Sequence, residues 1–163
     1  MTIENRCCFT GHRTLEGDFD RALLCSTIEE LYNKKQVRTF ICGGAVGFDM
    51  ECAYAVLGLK RRHDDIKLCF FLPCLGQDSR WSMQDRRKYK QLLEMADFID
   101  CPQIPYNSTV MKTRNYKMVD ACQYVISYFN GRFISGTAQT IRYAKRKGRE
   151  VINLGTYDLS EFR

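Results

Sequence analysis

The feature that most constrains this chain is a series of short, unbroken apolar runs, each followed by a longer amphipathic stretch. Cys7-Cys8-Phe9, Phe40-Ile41-Cys42 and Leu68-Cys69-Phe70-Phe71-Leu72 are continuous rather than alternating. A strand solvated on one face alternates apolar and polar residues, whereas strands covered on both faces read as continuous runs. Between them, Leu23, Leu24, Ile28, Leu31 and Tyr32 recur at helical spacing, as do Cys52, Ala55, Val56 and Leu59. The pattern predicts strands over 6–10, 37–42, 66–72, 97–100, 123–129 and 151–154. It predicts helices over 18–35, 48–62, 79–95, 110–121 and 137–147, with Gly148 closing the last. Strand and helix alternating in this way imply βαβ units. The expected fold is α/β, a doubly wound, mostly parallel sheet with helices on both faces. With 163 residues and no linker or internal repeat, 1–163 reads as a single domain.

Nine cysteines raise the alternatives of a disulfide framework or a metal site. An odd number cannot all pair within one chain. Met1–Arg6 carries no apolar signal run, and no segment approaches the roughly 20 apolar residues of a membrane span. The expectation is a cytoplasmic protein with reduced thiols and no membrane partner. Zinc sites need closely spaced ligand pairs. Cys7 and Cys8 are adjacent, Cys69 and Cys74 are the only pair with four residues between them, and His12 and His63 lie far apart with no partner spacing. No metal and no cofactor is expected, and the cysteines in apolar stretches read as small core residues. The formal charge of +6 permits an anionic partner. Much of it sits in Lys34-Lys35, Lys60-Arg61-Arg62 and Lys145-Arg146-Lys147, each closing a predicted helix where cations complement the dipole. Nucleic acid is therefore not the favoured partner.

In doubly wound sheets, ligands bind beyond the carboxyl ends of the strands, near the switch in strand order. Polar and glycine residues gather at that edge: Thr10-Gly11-His12-Arg13, then Gly43-Gly44-Ala45-Val46-Gly47-Phe48-Asp49, then Gln77, then Ser135-Gly136-Thr137. Gly43-Gly44-x-x-Gly47 opening a helix suits a phosphate, because glycine lets the backbone approach and free N–H groups donate. Ser135-Gly136-Thr137 offers a second helix start, and Arg13 a charge-assisted bond. The alternative is that the glycines form a tight turn and Ser135 or Thr137 is an N-cap. Neither Gly-x-Gly-x-x-Gly nor the Walker lysine motif is present.

Four motifs in order carry a resemblance: Cys8-Phe9-Thr10-Gly11-His12-Arg13; Cys42 to Asp49; Leu72-Pro73 with Gln77 and Trp81; and Arg114-Asn115 with Met118-Val119-Asp120. Together they resemble the YpsA-like branch of the SLOG superfamily, which is related to the Lonely Guy phosphoribohydrolases and the DNA-processing protein DprA. The resemblance implies a Rossmann-like fold, a nucleotide or nucleotide-derived ligand, and a homodimer or higher homo-oligomer. It also implies an association with antiviral signalling through ADP-ribose-type molecules. Lonely Guy enzymes carry Gly-Gly-x-Gly-Thr-x-x-Glu; here the stretch is Ser135-Gly136-Thr137-Ala138-Gln139-Thr140, with Thr140 at the glutamate position. A threonine cannot serve as the general base or stabilise an oxocarbenium ion.

The leading reading is a binding module for a nucleotide-type small molecule, a sensor or sequestering protein rather than an enzyme. Its ligand residues would be Thr10, Gly11, His12, Arg13, Gly43, Gly44, Ala45, Gly47, Asp49, Gln77, Ser135, Gly136 and Thr137. Gln77 and Trp81 would cover base or ribose, or Trp81 would pack on the sheet. Two alternatives stay open: a hydrolase of N-glycosidic or phosphate bonds using Asp49 or Asp120, and DprA-like binding of single-stranded DNA.

Overall fold

The computed structural model describes residues 2–162. Six strands, β1 (Arg6–Gly11), β2 (Thr39–Cys42), β3 (Lys67–Phe71), β4 (Phe98–Asp100), β5 (Tyr124–Tyr128) and β6 (Glu150–Asn153), form one sheet in the order β4-β3-β2-β1-β5-β6. Every pairing is parallel. The helices are α1 (Arg21–Lys35), α2 (Phe48–Lys60), α3 (Met83–Glu94), α4 (Val110–Asp120) and α5 (Gly136–Arg146), with a 3-10 turn at Leu159–Glu161. The chain winds outward from β1 to β4, then crosses back to place β5 on the other side of β1. That reversal is the switch point, and it opens a crevice beyond the carboxyl ends of β1 and β5.

The continuous apolar runs do cover both faces, and they divide by size. Phe9, Phe40, Leu68, Phe70, Ile126 and Tyr128 pack with Leu24, Ile28, Phe48 and Val56 beneath α1 and α2. Cys8, Ile41, Cys69 and Val125 pack with Met118, Cys122 and Ala144 beneath α4 and α5. Smaller residues on the second face let those helices lie close to the sheet. Cys7, Cys8, Cys42, Cys52 and Cys122 are at most 1% exposed, and all nine cysteines are free thiols. Burial pushes the Cys7, Cys42 and Cys52 thiols well above their ordinary pKa, the protonated state of structural cysteine.

Element ends follow local chemistry. The first helix begins at Arg21 rather than 18, because Asp20 caps it through Leu23 N at 3.1 Å while Asp18 accepts the Tyr128 hydroxyl at 2.6 Å. The third begins at Met83 rather than 79, because the Ser82 hydroxyl accepts from Asp85 N. Gly148 takes φ +74°, the left-handed conformation expected after a helix. Among the described residues, no helix is long and apolar enough to cross a membrane, and no cluster of three or more His, Cys, Asp or Glu side chains is placed to hold a metal.

Candidate functional site

The crevice at the switch point is a cleft with three connected lobes. The central lobe, about 350 Å³, lies between the loop after β1 and the start of α5; Gly11, His12, Arg13, Ser135, Gly136 and Thr137 line it. These six were expected at a ligand site. Thr14, Arg132 and Ile134 complete the lobe and were not expected. An inner lobe of about 100 Å³ shares Gly11, Arg13 and Thr137 and adds Thr10, Ala45 and Asp49. An outer lobe of about 570 Å³ shares Ile134, Ser135 and Gly136 and continues to Phe133, Gln139 and Arg142.

At α5 the Ser135 hydroxyl accepts from Ala138 N at 3.1 Å, which fixes the first turn. The Gly136 and Thr137 N–H groups, without helical acceptors, remain at the helix start, and the space around Gly136 is open. Thr10 and Thr137 are 6% and 5% exposed. Neither side-chain hydroxyl has a hydrogen-bond partner among the described residues. Both line the inner lobe and neither hydroxyl is sealed from it, whereas the buried side-chain polar atom without a partner among the described residues is Gln77 Oε1.

The inner lobe is floored by charge. Arg114, 5% exposed, donates from Nη1 to the Gly43 carbonyl at 2.6 Å and from Nε to Asn115 Oδ1 at 2.9 Å. Asp49, 8% exposed, accepts from Ala45 N at 3.4 Å. A Cβ on Gly43 would stand 2.5 Å from Arg114 Nη1 and 2.8 Å from Asp49 Oδ2, so only glycine fits between them. Burial raises the Asp49 carboxyl pKa above its ordinary range, opposed by the Arg114 charge. The same burial lowers that of Arg114. Arg114 was expected only as part of a motif. Its signal is its spacing: Val110, Arg114 and Met118 follow at i, i+4 and i+8, which puts a cation on the apolar stripe of α4.

Three expected roles are corrected, and of the two readings given for Trp81 the packing one holds. The Gly43-Gly44-x-x-Gly47 turn is not an open phosphate cradle: Phe48 N donates to the His12 carbonyl at 3.2 Å, and a Cβ on Gly47 would stand 2.1 Å from Arg13 O. The loop after β1 covers that helix start, leaving Ala45 and Asp49 at the cavity and Gly43, Gly44 and Gln77 behind it. Gln77 serves packing, its Nε2 donating to the Gly43 carbonyl at 3.1 Å and the Tyr89 hydroxyl at 3.0 Å. Trp81 packs edge-on against Tyr89 at 5.1 Å, on the core side. Asp120 ends α4, whose 11 residues run about 16 Å from the ligand edge. There it accepts the Tyr143 hydroxyl at 2.7 Å and pairs with Lys147.

His12 lines the cleft and is also structural. Its Nε2 accepts from Asn130 N at 3.4 Å, and its ring lies against Tyr128 and Phe129. Burial, then the nearby Arg132, lowers its pKa and keeps the ring neutral. Thr140 donates to the Gly136 carbonyl at 2.7 Å within α5, so no carboxylate stands at that position.

Parallel order and a crevice at the switch point define a Rossmann-like α/β protein. The YspA SLOG family model matches residues 18–158, and the chain belongs to that family. An uncharacterized SPbeta prophage-derived protein, YoqJ of Bacillus subtilis, is 31% identical over 135 residues, covering 76% of this chain and 78% of that one. A UPF0398 protein of Halalkalibacterium halodurans is 39% identical over 64 residues, covering 39% of this chain and 34% of that one. Among solved structures, DprA from Streptococcus pneumoniae superposes with a TM-score of 0.65 at 19% identity, covering 91% of this chain and 49% of that one. DprA from Helicobacter pylori, described for its single-stranded DNA binding mode, gives 0.67 at 15% identity, covering 93% and 65%. This chain thus spans about half to two-thirds of either DprA and shares its fold.

Proposed function

We propose that the protein binds a nucleotide-derived ligand of the ADP-ribose type, seating a phosphate or diphosphate in the central lobe, and acts as a sensor or sequestering protein. The observation that carries this reading is the pair of unpartnered hydroxyls of Thr10 and Thr137, open to the cavity beside the start of α5. The Gly136 and Thr137 N–H groups and Arg13 supply the donors an anion needs. The inner lobe suits a hydroxyl-bearing sugar, with Asp49 as acceptor and the Thr10 hydroxyl as donor or acceptor. The prophage-derived relative is consistent with a place in the traffic of signals between phage and bacterium.

Isothermal titration calorimetry with ADP-ribose, cyclic ADP-ribose and AMP tests the proposal. Saturable binding that Arg13→Ala weakens supports it; no heat from any of the three at millimolar concentration overturns it. A second reading is single-stranded DNA, favoured by Arg13, Arg132 and Arg142 along lobes lined by no acid and by the fold shared with DprA. It requires binding that weakens steeply with salt.

A further inference from the structure

Beyond the phosphate position, the outer lobe has a composition of its own. It is lined by an aromatic ring, Phe133, an amide, Gln139, and a guanidinium, Arg142, around the same helix start that bounds the central lobe. Phe133 is 40% exposed, yet its ring is braced by Phe129 at 5.5 Å, Tyr157 at 5.2 Å and Phe162 at 5.4 Å. Arg142 is held in turn, donating to the Phe133 carbonyl at 3.3 Å with its guanidinium 6.0 Å from the Phe133 ring centre. Gln139 makes no side-chain hydrogen bond among the described residues. Beside them Ile134 is 96% exposed and lines both the central and the outer lobe.

An aromatic face fixed from behind, a free amide and a cation together match the chemistry of a nucleobase. The ring gives a stacking surface, the amide reads a donor–acceptor edge, and the cation complements an electron-rich ring. We infer that the outer lobe is a base subsite, in which Phe133 stacks the base of the proposed ligand and Gln139 determines which base is preferred. The inference rests on the reading of the central lobe as the phosphate position. It adds a direction, with the sugar beyond the phosphate entering the inner lobe and the base lying over Phe133.

Calorimetry with ADP-ribose, AMP and inorganic pyrophosphate separates the two claims. Wild-type protein should bind ADP-ribose more tightly than pyrophosphate. Phe133→Ala should weaken ADP-ribose about tenfold, the stacking contribution of one base, and leave pyrophosphate unchanged. Gln139→Ala, at a half-buried position outside the aromatic cluster, should change the ratio of AMP to UMP affinities without changing pyrophosphate binding. Equal affinities of the wild-type protein for pyrophosphate and ADP-ribose would overturn the base subsite while leaving the phosphate position standing. Unchanged nucleotide affinities in both variants would do the same, and a chain that binds none of these compounds removes both.

Discussion

A hydroxyl that opens onto a cavity and has no protein partner is free to bond water or a ligand. Thr10 and Thr137 are in that position, so Thr10→Val and Thr137→Val, which keep the shape, should change stability by less than about 1 kcal/mol in urea. Each should weaken ADP-ribose about fivefold or more, one charge-assisted bond. A large stability loss with unchanged affinity would assign the hydroxyls to the fold. His12 gives a pH signature. Because burial lowers its pKa, the unfolded chain binds the proton more tightly, and the neutral ring's stabilisation is complete above about pH 6.5 and lost as the pH falls through that value. Urea midpoints should drop from pH 7.5 to 5.5, and His12→Gln should flatten the slope; a parallel curve would contradict this. At this scale the sequence was informative where chemistry is local. Thr10, Arg13, Ser135 and Thr137 stand at strand ends or helix starts that periodicity locates. Gln77 and Asp120 were misread because their partners, Tyr89 and Tyr143, lie on elements whose placement periodicity does not reveal.

The elements that build the cleft meet through backbone. The loop after β1 lies on the start of α2 so closely that Gly47, at φ +94°, must be glycine. Gly47→Ala should therefore cost about 2–4 kcal/mol and broaden thermal unfolding; a loss under 1 kcal/mol would show that the loop can move away. The same contact explains why a glycine-rich turn that resembles a phosphate cradle is closed: its first donor already has an acceptor in His12. Nothing in Gly43-Gly44-x-x-Gly47 itself announces that acceptor, whereas the six strands and five helices were legible because a twice-covered sheet imposes continuous runs. On α1, Cys25 is exposed while Cys7, Cys8, Cys42 and Cys52 are sealed under helices. A native thiol titration should modify Cys25 first and Cys101 more slowly, with the seven buried thiols reacting only on unfolding. Rapid modification of several thiols would contradict the packing.

For the whole molecule, strand order is the decisive property. The return of the chain from β4 to β5 brings the loop after β1, the start of α5 and the buried Asp49–Arg114 floor into one cleft, with Phe133, Gln139 and Arg142 as its outer extension. The chain's membership of the YspA SLOG family and the fold it shares with DprA agree with this architecture. The ligand proposed for this cleft is a phosphate-bearing nucleotide derivative seated at the start of α5. Thermal unfolding with and without ADP-ribose tests it most directly, in the wild-type protein and in Thr137→Val. Ligand at a hundred times its dissociation constant stabilises by about 2.7 kcal/mol, which for a chain of this size raises the wild-type Tm by about 5–10 °C. Millimolar ADP-ribose should produce that rise in the wild-type protein and a smaller one in Thr137→Val. A wild-type Tm that stays put, or an equal rise in the variant, would contradict it.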